Sequence, residues 1–300
     1  SGATAVTLVP SMAEETAHIT MLQRSPSYIF SIPGHDKLSE MLDTVLPSDW
    51  VFGMARWRNI KLQRLIYKAS KKYPNFMRKL LLSNVKRHVG DGVDMAHFSP
   101  SYMPWDERLC AVPDADLFKD LRDGKASVVT DHIETFTENG ILLKSGRELE
   151  ADIIITATGL NLQVLGGMQL SLNGEPLDVS ERMTYKGVLM EGVPNMAWVF
   201  GYTNASWTLK ADIAAAYVCR LLNYLKENRL SVAMPRAECA QPQQDHSIMD
   251  ALGSGYVQRS SHLLPRQGQG HPWRVTNHYA HDSHMLLEEP VEDGFLAFSR

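Results

Sequence analysis

Five small residues, Ser1-Gly2-Ala3-Thr4-Ala5, lead directly into a helical pattern and then a short strand. This order restricts the fold more than any other feature of the chain. Ala3, Val6, Val9, Pro10 and Ala13 recur at helical spacing, and the strand His18–Gln23 follows, closed by Arg24-Ser25-Pro26. A small-residue turn, a helix and a second strand form the order of a dinucleotide-binding βαβ unit. Its G-x-G-x-x-G/A fingerprint sits straight after a first strand. Gly2 takes the place of the second glycine and Ala5 that of the third small residue. The first glycine and the first strand would then precede residue 1, so the chain is expected to be a fragment of a larger fold.

A helix N-terminus binds phosphate through its free N–H groups and dipole, and small residues such as Gly2, Ala3, Thr4 and Ala5 let the backbone approach. The end of the second strand selects the cofactor. An acidic residue there suits the ribose hydroxyls of NAD, whereas arginine suits the 2′-phosphate of NADP. Arg24 and Ser25 supply a guanidinium and a hydroxyl, a donor set for a phosphate dianion. NADP(H) is the expected cofactor, and the bland alternative is a surface arginine after a strand.

The chain has 300 residues, enough for two domains. Hydrophobic residues make up 44% and the net charge is −4, which argues against a general nucleic-acid binder. Cys110, Cys219 and Cys239 lack metal or disulfide spacing and read as reduced thiols of a cytoplasmic protein. No apolar run reaches the ~18 residues of a membrane span. His271, His278, His281 and His284 have no Cys or paired acid to complete a ligand set, so no metal site is expected, and the tail reads as an exposed segment.

Residues 36–98 change character. Arg56, Arg58, Lys61, Arg64, Lys68, Lys71, Lys72, Arg78, Lys79, Lys86 and Arg87 occur with no Asp or Glu between 56 and 88. Trp50, Trp57, Leu65, Phe76 and Leu80 supply apolar faces, broken at Pro47 and Pro74. Several helices forming an inserted subdomain are expected. Its basic face reads as solvated or cofactor-facing, with an anionic membrane surface or nucleic acid as alternatives. Ser99–Pro113 is a loop rich in proline and aromatic residues, in which Arg108 is either a salt-bridged loop residue or a functional one.

From Asp116 an α/β pattern returns: a helix to Arg122, strands Ala126–Thr130, Ile133–Phe136 and Ile141–Leu143, and turns at Asn139-Gly140 and Gly146. Ile153-Ile154-Ile155 reads as a buried parallel strand ending in Thr156-Ala157-Thr158-Gly159, where open α/β sheets bind ligands. Asn195–Gly201 reads as another buried strand. It runs through Tyr202–Thr208 into a helix over 209–228, whose N-terminus faces an anionic or electron-rich partner.

Five of these stretches, Ser1–Ala5, Gln23-Arg24-Ser25-Pro26, Trp105-Asp106-Glu107-Arg108-Leu109, Ala157-Thr158-Gly159-Leu160-Asn161 and Gly201–Trp207, together resemble class B flavin monooxygenases, the type I Baeyer–Villiger enzymes. The resemblance implies a Rossmann-like flavoprotein with two dinucleotide-binding domains and a helical insert. Residues 1–35 and 105–150 would form the NADP-binding domain, 36–104 the insert, and 151–300 the C-terminal part of the FAD-binding domain. It implies FAD and NADP(H) as cofactors, and O2 with a small ketone or sulfur-containing substrate. Oxygen would be inserted through a C4a-peroxyflavin, giving esters, lactones or oxygenated sulfur.

Carried over residue by residue, the resemblance makes Arg24 and Ser25 the 2′-phosphate pair. Arg108 becomes the catalytic arginine that stabilises negative oxygen. Thr156, Ala157 and Gly159 would lie near the flavin, and Asn204, Ser206, Trp207 and Thr208 would line the flavin and substrate side. Glu107 departs from the pattern, since many relatives carry lysine there. The first FAD half is not among these residues, so the chain alone is expected to be inactive. The alternative is a non-catalytic NADP-binding module that senses redox state. A flavin-free reductase would need a Tyr-Lys proton donor that no spacing here supplies.

Overall fold

The computed structural model describes residues 2–237, 242–249 and 253–300. Ser1 and Cys239, named above, lie outside the described residues. The chain divides into two compact units, Ser1–Gly159 and Leu160–Arg300.

The first unit begins with α1 (Ala3–Met12), whose Ala5, Val6 and Val9 face inward at a spacing of three to four residues. Then come β1 (Ile19–Gln23) and β2 (Ile29–Ile32), followed by α2 (Lys37–Asp43), α3 (Ser48–Lys72) and α4 (Pro74–Val89). The Asp36 carboxylate accepts from the Ser39 amide and caps α2. Pro74 opens α4 at a position where no amide partner is lost. β3 (Cys110–Pro113), α5 (Asp116–Arg122) and β4 (Ala126–Thr130) close the α/β part, and β5 (Ile133–Phe136), β6 (Gly140–Leu143) and β7 (Glu148–Glu150) form an antiparallel meander.

β1 runs parallel to β4, with Ile19 opposite Ala126, and β2 runs parallel to β3, with Ile29 opposite Cys110. The β2–β3 pair is not legible in the sequence, because Ile29–Ile32 is short and its partner lies about 80 residues on, past the insert. One core joins α1, α4, α5 and both strand pairs through Val6, Val9, Ile29, Val85, Val89, Phe98, Val112 and Phe118. Burying each such valine contributes roughly 1.5–3 kcal/mol. The C-terminal end of α4 is therefore part of the first unit's core rather than a separate subdomain.

The second unit holds two small hairpins, β8 (Leu170–Leu172) with β9 (Glu175–Leu177) and β10 (Thr184–Tyr185) with β11 (Leu189–Met190). The long α6 (Trp207–Glu227) buries Leu209, Lys210, Ile213, Ala214, Tyr217, Leu221 and Leu225 on one face. β12 (Val232–Pro235), β13 (Pro242–Ser247), α7 (Gly255–Ser260), β14 (Arg266–Gly268), α8 (Tyr279–Leu287) and β15 (Leu296–Ser299) follow. β12 pairs with β15 and β13 with β14, both antiparallel. Ile213, Tyr217, Leu221, Trp273, Met285 and Leu286 share its main core.

Three expectations are corrected. Ile153-Ile154-Ile155 is no buried strand: the segment forms no ladder, and Ile153 is 77% exposed. A central parallel strand needs a neighbour to take its N–H and C=O groups, and no described strand pairs with it. Asn195–Gly201 makes only a single bridge, Ala197 to Leu189, and Val199 is exposed. The tail is not an exposed segment either. α8 buries Met285 and Leu286, and β15 supplies Leu296 to the second unit's core.

Candidate functional site

α1 starts without a side-chain cap and without an acidic residue in its first turn. Gly2, Ala3 and Thr4 are exposed, and Ala5 is buried against the core. The first amides of a helix have no intrahelical acceptor, so this end presents free N–H groups. A short turn after Met12 returns the chain along α1 into β1. The carboxyl end of β1 thus lies on the same side as the helix N-terminus. Arg24 and Ser25 form an exposed bend there.

Beneath that bend is a buried polar cluster that sequence reasoning missed. The Gln23 amide donates to the Thr130 hydroxyl at 2.8 Å and to the His97 carbonyl at 2.7 Å. His97 Nδ1 also lies 2.7 Å from that hydroxyl. Gln23 is only 3% exposed, although it ends an otherwise apolar strand, and that position was the available signal. The cluster ties the carboxyl ends of β1 and β4 to the segment that follows α4.

Arg108 lies exposed two residues before β3. Its loop is tied down by the insert. Lys71 pairs with Asp106 at 3.1 Å and donates to the Trp105 carbonyl at 3.2 Å. Tyr67 meets Trp105 edge-on at 5.4 Å between ring centroids. Arg78 donates to the Tyr28 hydroxyl at 2.8 Å and to the Tyr102 carbonyl at 3.1 Å. Burial pushes the Tyr102 phenol up to about 12. Among the described residues Arg108 pairs with no carboxylate, so the salt-bridged reading belongs to Lys71 instead. Part of the insert's basic face holds this loop.

Ala157 packs against the first unit's core, while Thr156 and Gly159 are exposed, Gly159 with φ +102°.

In the second unit, Ser206 holds the N-cap position of α6 in an extended conformation, and the first turn carries no acid. The Ser206 and Thr208 hydroxyls are 2.8 Å apart. Asn204 donates to the Asn277 carbonyl at 3.0 Å, and the Thr203 amide donates to the Asn277 side chain at 3.3 Å. The Trp207 ring lies against Gly201 and is 5.2 Å from the Phe200 ring. These four predicted residues therefore cluster at one helix N-terminus.

Beneath them, Asp282 accepts from Lys210 Nζ at 2.9 Å, from the Tyr202 hydroxyl at 2.9 Å and from the Thr276 hydroxyl at 2.9 Å. Burial pushes the Lys210 ammonium down, and Asp282 opposes that shift. Lys186 is fully buried near Asp293 at 3.0 Å. Both lysines were overlooked, although Lys210 sits on the apolar stripe that Ile213 and Tyr217 continue. The tail histidines sit beside acids and backbone, His271 3.3 Å from Glu289 and His284 2.7 Å from Glu288. Among the described residues no disulfide forms: Cys110 is buried and Cys219 is exposed.

No protein-family model matches the chain. The whole chain is 59% identical over 305 residues to MymA of Mycobacterium tuberculosis, named as an FAD-containing monooxygenase. It is 47% identical over 302 residues to the FAD-containing monooxygenase EthA of the same organism. The chain is homologous to FAD-containing monooxygenases. It spans about 61% of the length of these relatives. A steroid monooxygenase bound to NADP matches the whole chain and 66% of its own length, with a TM-score of 0.70 at 15% identity. OTEMO in complex with FAD and NADP matches 79% of this chain and 52% of its own, with a TM-score of 0.60 at 16% identity. The expected flavoprotein monooxygenase fold with its helical insert is borne out at this level. Among the described residues, no helix is long and apolar enough to cross a membrane.

Proposed function

We propose that this chain carries the NADP-binding domain (1–35 and 105–150), the helical insert (36–104) and the C-terminal part of the FAD-binding domain (151–300) of an FAD- and NADPH-dependent monooxygenase of Baeyer–Villiger type. Its substrate class is a small ketone or a sulfur-containing compound. The observation that carries the reading is the acid-free, exposed N-terminus of α1, followed after β1 by the exposed Arg24-Ser25 bend. The identity to FAD-containing monooxygenases supports it.

Both cofactors fit the residues present. The amides after Gly2, with the small side chains of Ala3, Thr4 and Ala5, accept a pyrophosphate without steric or charge conflict. Arg24 and Ser25 bind the 2′-phosphate through charge-assisted hydrogen bonds. Asn204, Ser206, Trp207 and Thr208 line the flavin and substrate side at the N-terminus of α6, where partial positive charge favours an electron-rich group. Thr156 and Gly159 supply exposed backbone for close approach, and Ala157 between them anchors the segment to the core. Bound flavin, reduced by NADPH, supplies the oxygen chemistry. Arg108, permanently charged and held by a loop that Lys71 and Tyr67 fix, stabilises negative charge developing on substrate oxygen.

The test uses the complete open reading frame. The purified protein should show a flavin absorbance spectrum and oxidise NADPH in the presence of a ketone or a sulfide. A colourless protein that binds NADPH without consuming it would replace this reading with the redox-sensing module. The 300-residue chain by itself should retain no flavin.

A further inference from the structure

The helical insert carries a surface that the proposed oxygenation does not use. In α3, Trp50, Met54, Trp57, Lys61, Leu65, Lys68 and Lys72 follow one another at steps of three to four residues. At 3.6 residues per turn they fall within an arc of about 80°, and they run about 33 Å along the helix. The apolar members are exposed, Trp50 68%, Trp57 65%, Leu65 64% and Met54 45%, and Phe52, Leu62 and Ile66 on other faces of α3 are exposed as well. Val51 and Ser70, on other faces of the same helix, are buried. The stripe therefore points away from the packing of its own unit.

Charge gives the stripe its partner. From Trp50 to Gly90 there are eleven Lys and Arg residues and no Asp or Glu, in a chain whose net charge is −4. Lys61 Nζ sits 5.8 Å from the Trp57 ring, so ammonium and indole share one face. α4 repeats the pattern in short form, with Phe76 and Leu80 exposed and Lys79 and Arg87 nearby. Tryptophan and leucine interleaved with lysine along one face of a long helix match an interfacial helix. Its rings enter the headgroup region while the lysines reach lipid phosphates. A nucleic acid would draw on the lysines and leave the aliphatic residues wet.

We infer that the α3 stripe, Trp50 to Lys72, seats the protein on an anionic lipid surface. The inference stands apart from the functional reading, because it uses no residue assigned to a cofactor.

The experiment is co-sedimentation of the full-length protein with vesicles of phosphatidylcholine alone or mixed with phosphatidylglycerol. The protein should pellet with the mixed vesicles, less with the neutral ones, and progressively less as salt rises. Trp50→Ser with Trp57→Ser should lower the partition roughly tenfold or more. Lys61→Glu, Lys68→Glu and Lys72→Glu together should remove the preference for the anionic lipid. All five positions are exposed, so circular dichroism and NADPH oxidation should stay unchanged. Equal partition into both vesicle types, or no pelleting, overturns the inference. So does protection of both tryptophans from acrylamide in lipid-free protein, which would mean that the rest of the polypeptide covers the stripe. Binding to a duplex oligonucleotide in place of vesicles also overturns it.

Discussion

Lys210 on α6 and Asp282 on α8 form an ion pair at 2.9 Å, with side chains only 5% and 4% exposed. This pair sits under the loop that carries Asn204 and Ser206, because Tyr202 and Thr276 also donate to the same carboxylate. A buried charge left without its partner is expensive, about 3–5 kcal/mol. Lys210→Met should therefore destabilise the chain by about that much. Lys210→Met combined with Asp282→Asn should cost less than the sum of the two single changes, because the neutral amide no longer needs the ammonium. Urea unfolding of the four proteins measures this, and strictly additive losses would refute the coupling.

Stability should fall on the alkaline side. Burial raises the phenol pKa of Tyr28, Tyr102, Tyr185, Tyr202 and Tyr217 above the ordinary value of 10.0. Above about pH 10 the unfolded chain has released protons that the folded chain keeps, so stability declines as pH rises. Lys210 acts the other way. Its folded pKa is pushed below 10.5, so between the two values the unfolded state holds the extra proton and stability rises. Five phenols outweigh one ammonium. A spectrophotometric titration should show an early phenolate class and a late class that ionises together with loss of circular dichroism. A single early class would contradict the burial of these rings.

Local pattern made α1, β1, α5, β4 and the meander legible, because each is specified within its own few residues. Ile153-Ile154-Ile155 shows the limit of that reasoning. Its composition demands burial in a sheet, but burial also needs neighbouring strands, and none is described. The β2–β3 pair escaped for the complementary reason, since its partners are separated by the whole insert. At the candidate sites, motif positions such as Arg24 and Ser206 could be read in the sequence. The polar clusters beneath them could not, because Gln23 with Thr130 and Lys210 with Asp282 meet only after folding.

Arg24→Ala in the full-length enzyme should weaken NADPH and spare NADH. A hydrogen bond to a charged group is worth about 1.5–3 kcal/mol, which corresponds to roughly a 10- to 150-fold rise in KM for NADPH. The ratio of kcat/KM for the two nucleotides checks it. An unchanged ratio would return Arg24 to the role of a surface residue.

Arg108→Ala should separate the two halves of the reaction. Flavin reduction by NADPH should persist, while product formation should drop by about a hundredfold or more. Lys71→Ala tests the support of the same loop. The Lys71–Asp106 pair is about half exposed, so its removal should cost no more than about 1 kcal/mol of stability. Stopped-flow reduction read beside product yield distinguishes the outcomes, and full product yield from Arg108→Ala would remove it from the catalytic set.

Gly201→Ala should reshape the N-terminus of α6 without any change of charge. A Cβ at residue 201 would lie 2.1 Å from Trp207 Cγ and 2.3 Å from its Cδ2, far inside contact distance. The ring cannot remain against residue 201, and it also contacts Phe200 at 5.2 Å. Overpacking of this kind costs about 1–3 kcal/mol. The displaced indole should show altered tryptophan fluorescence, and in the full-length enzyme the flavin spectrum should shift while NADPH affinity at the α1 end holds. A variant with unaltered fluorescence and flavin spectrum would show that Trp207 can move at no cost and does not shape the flavin side.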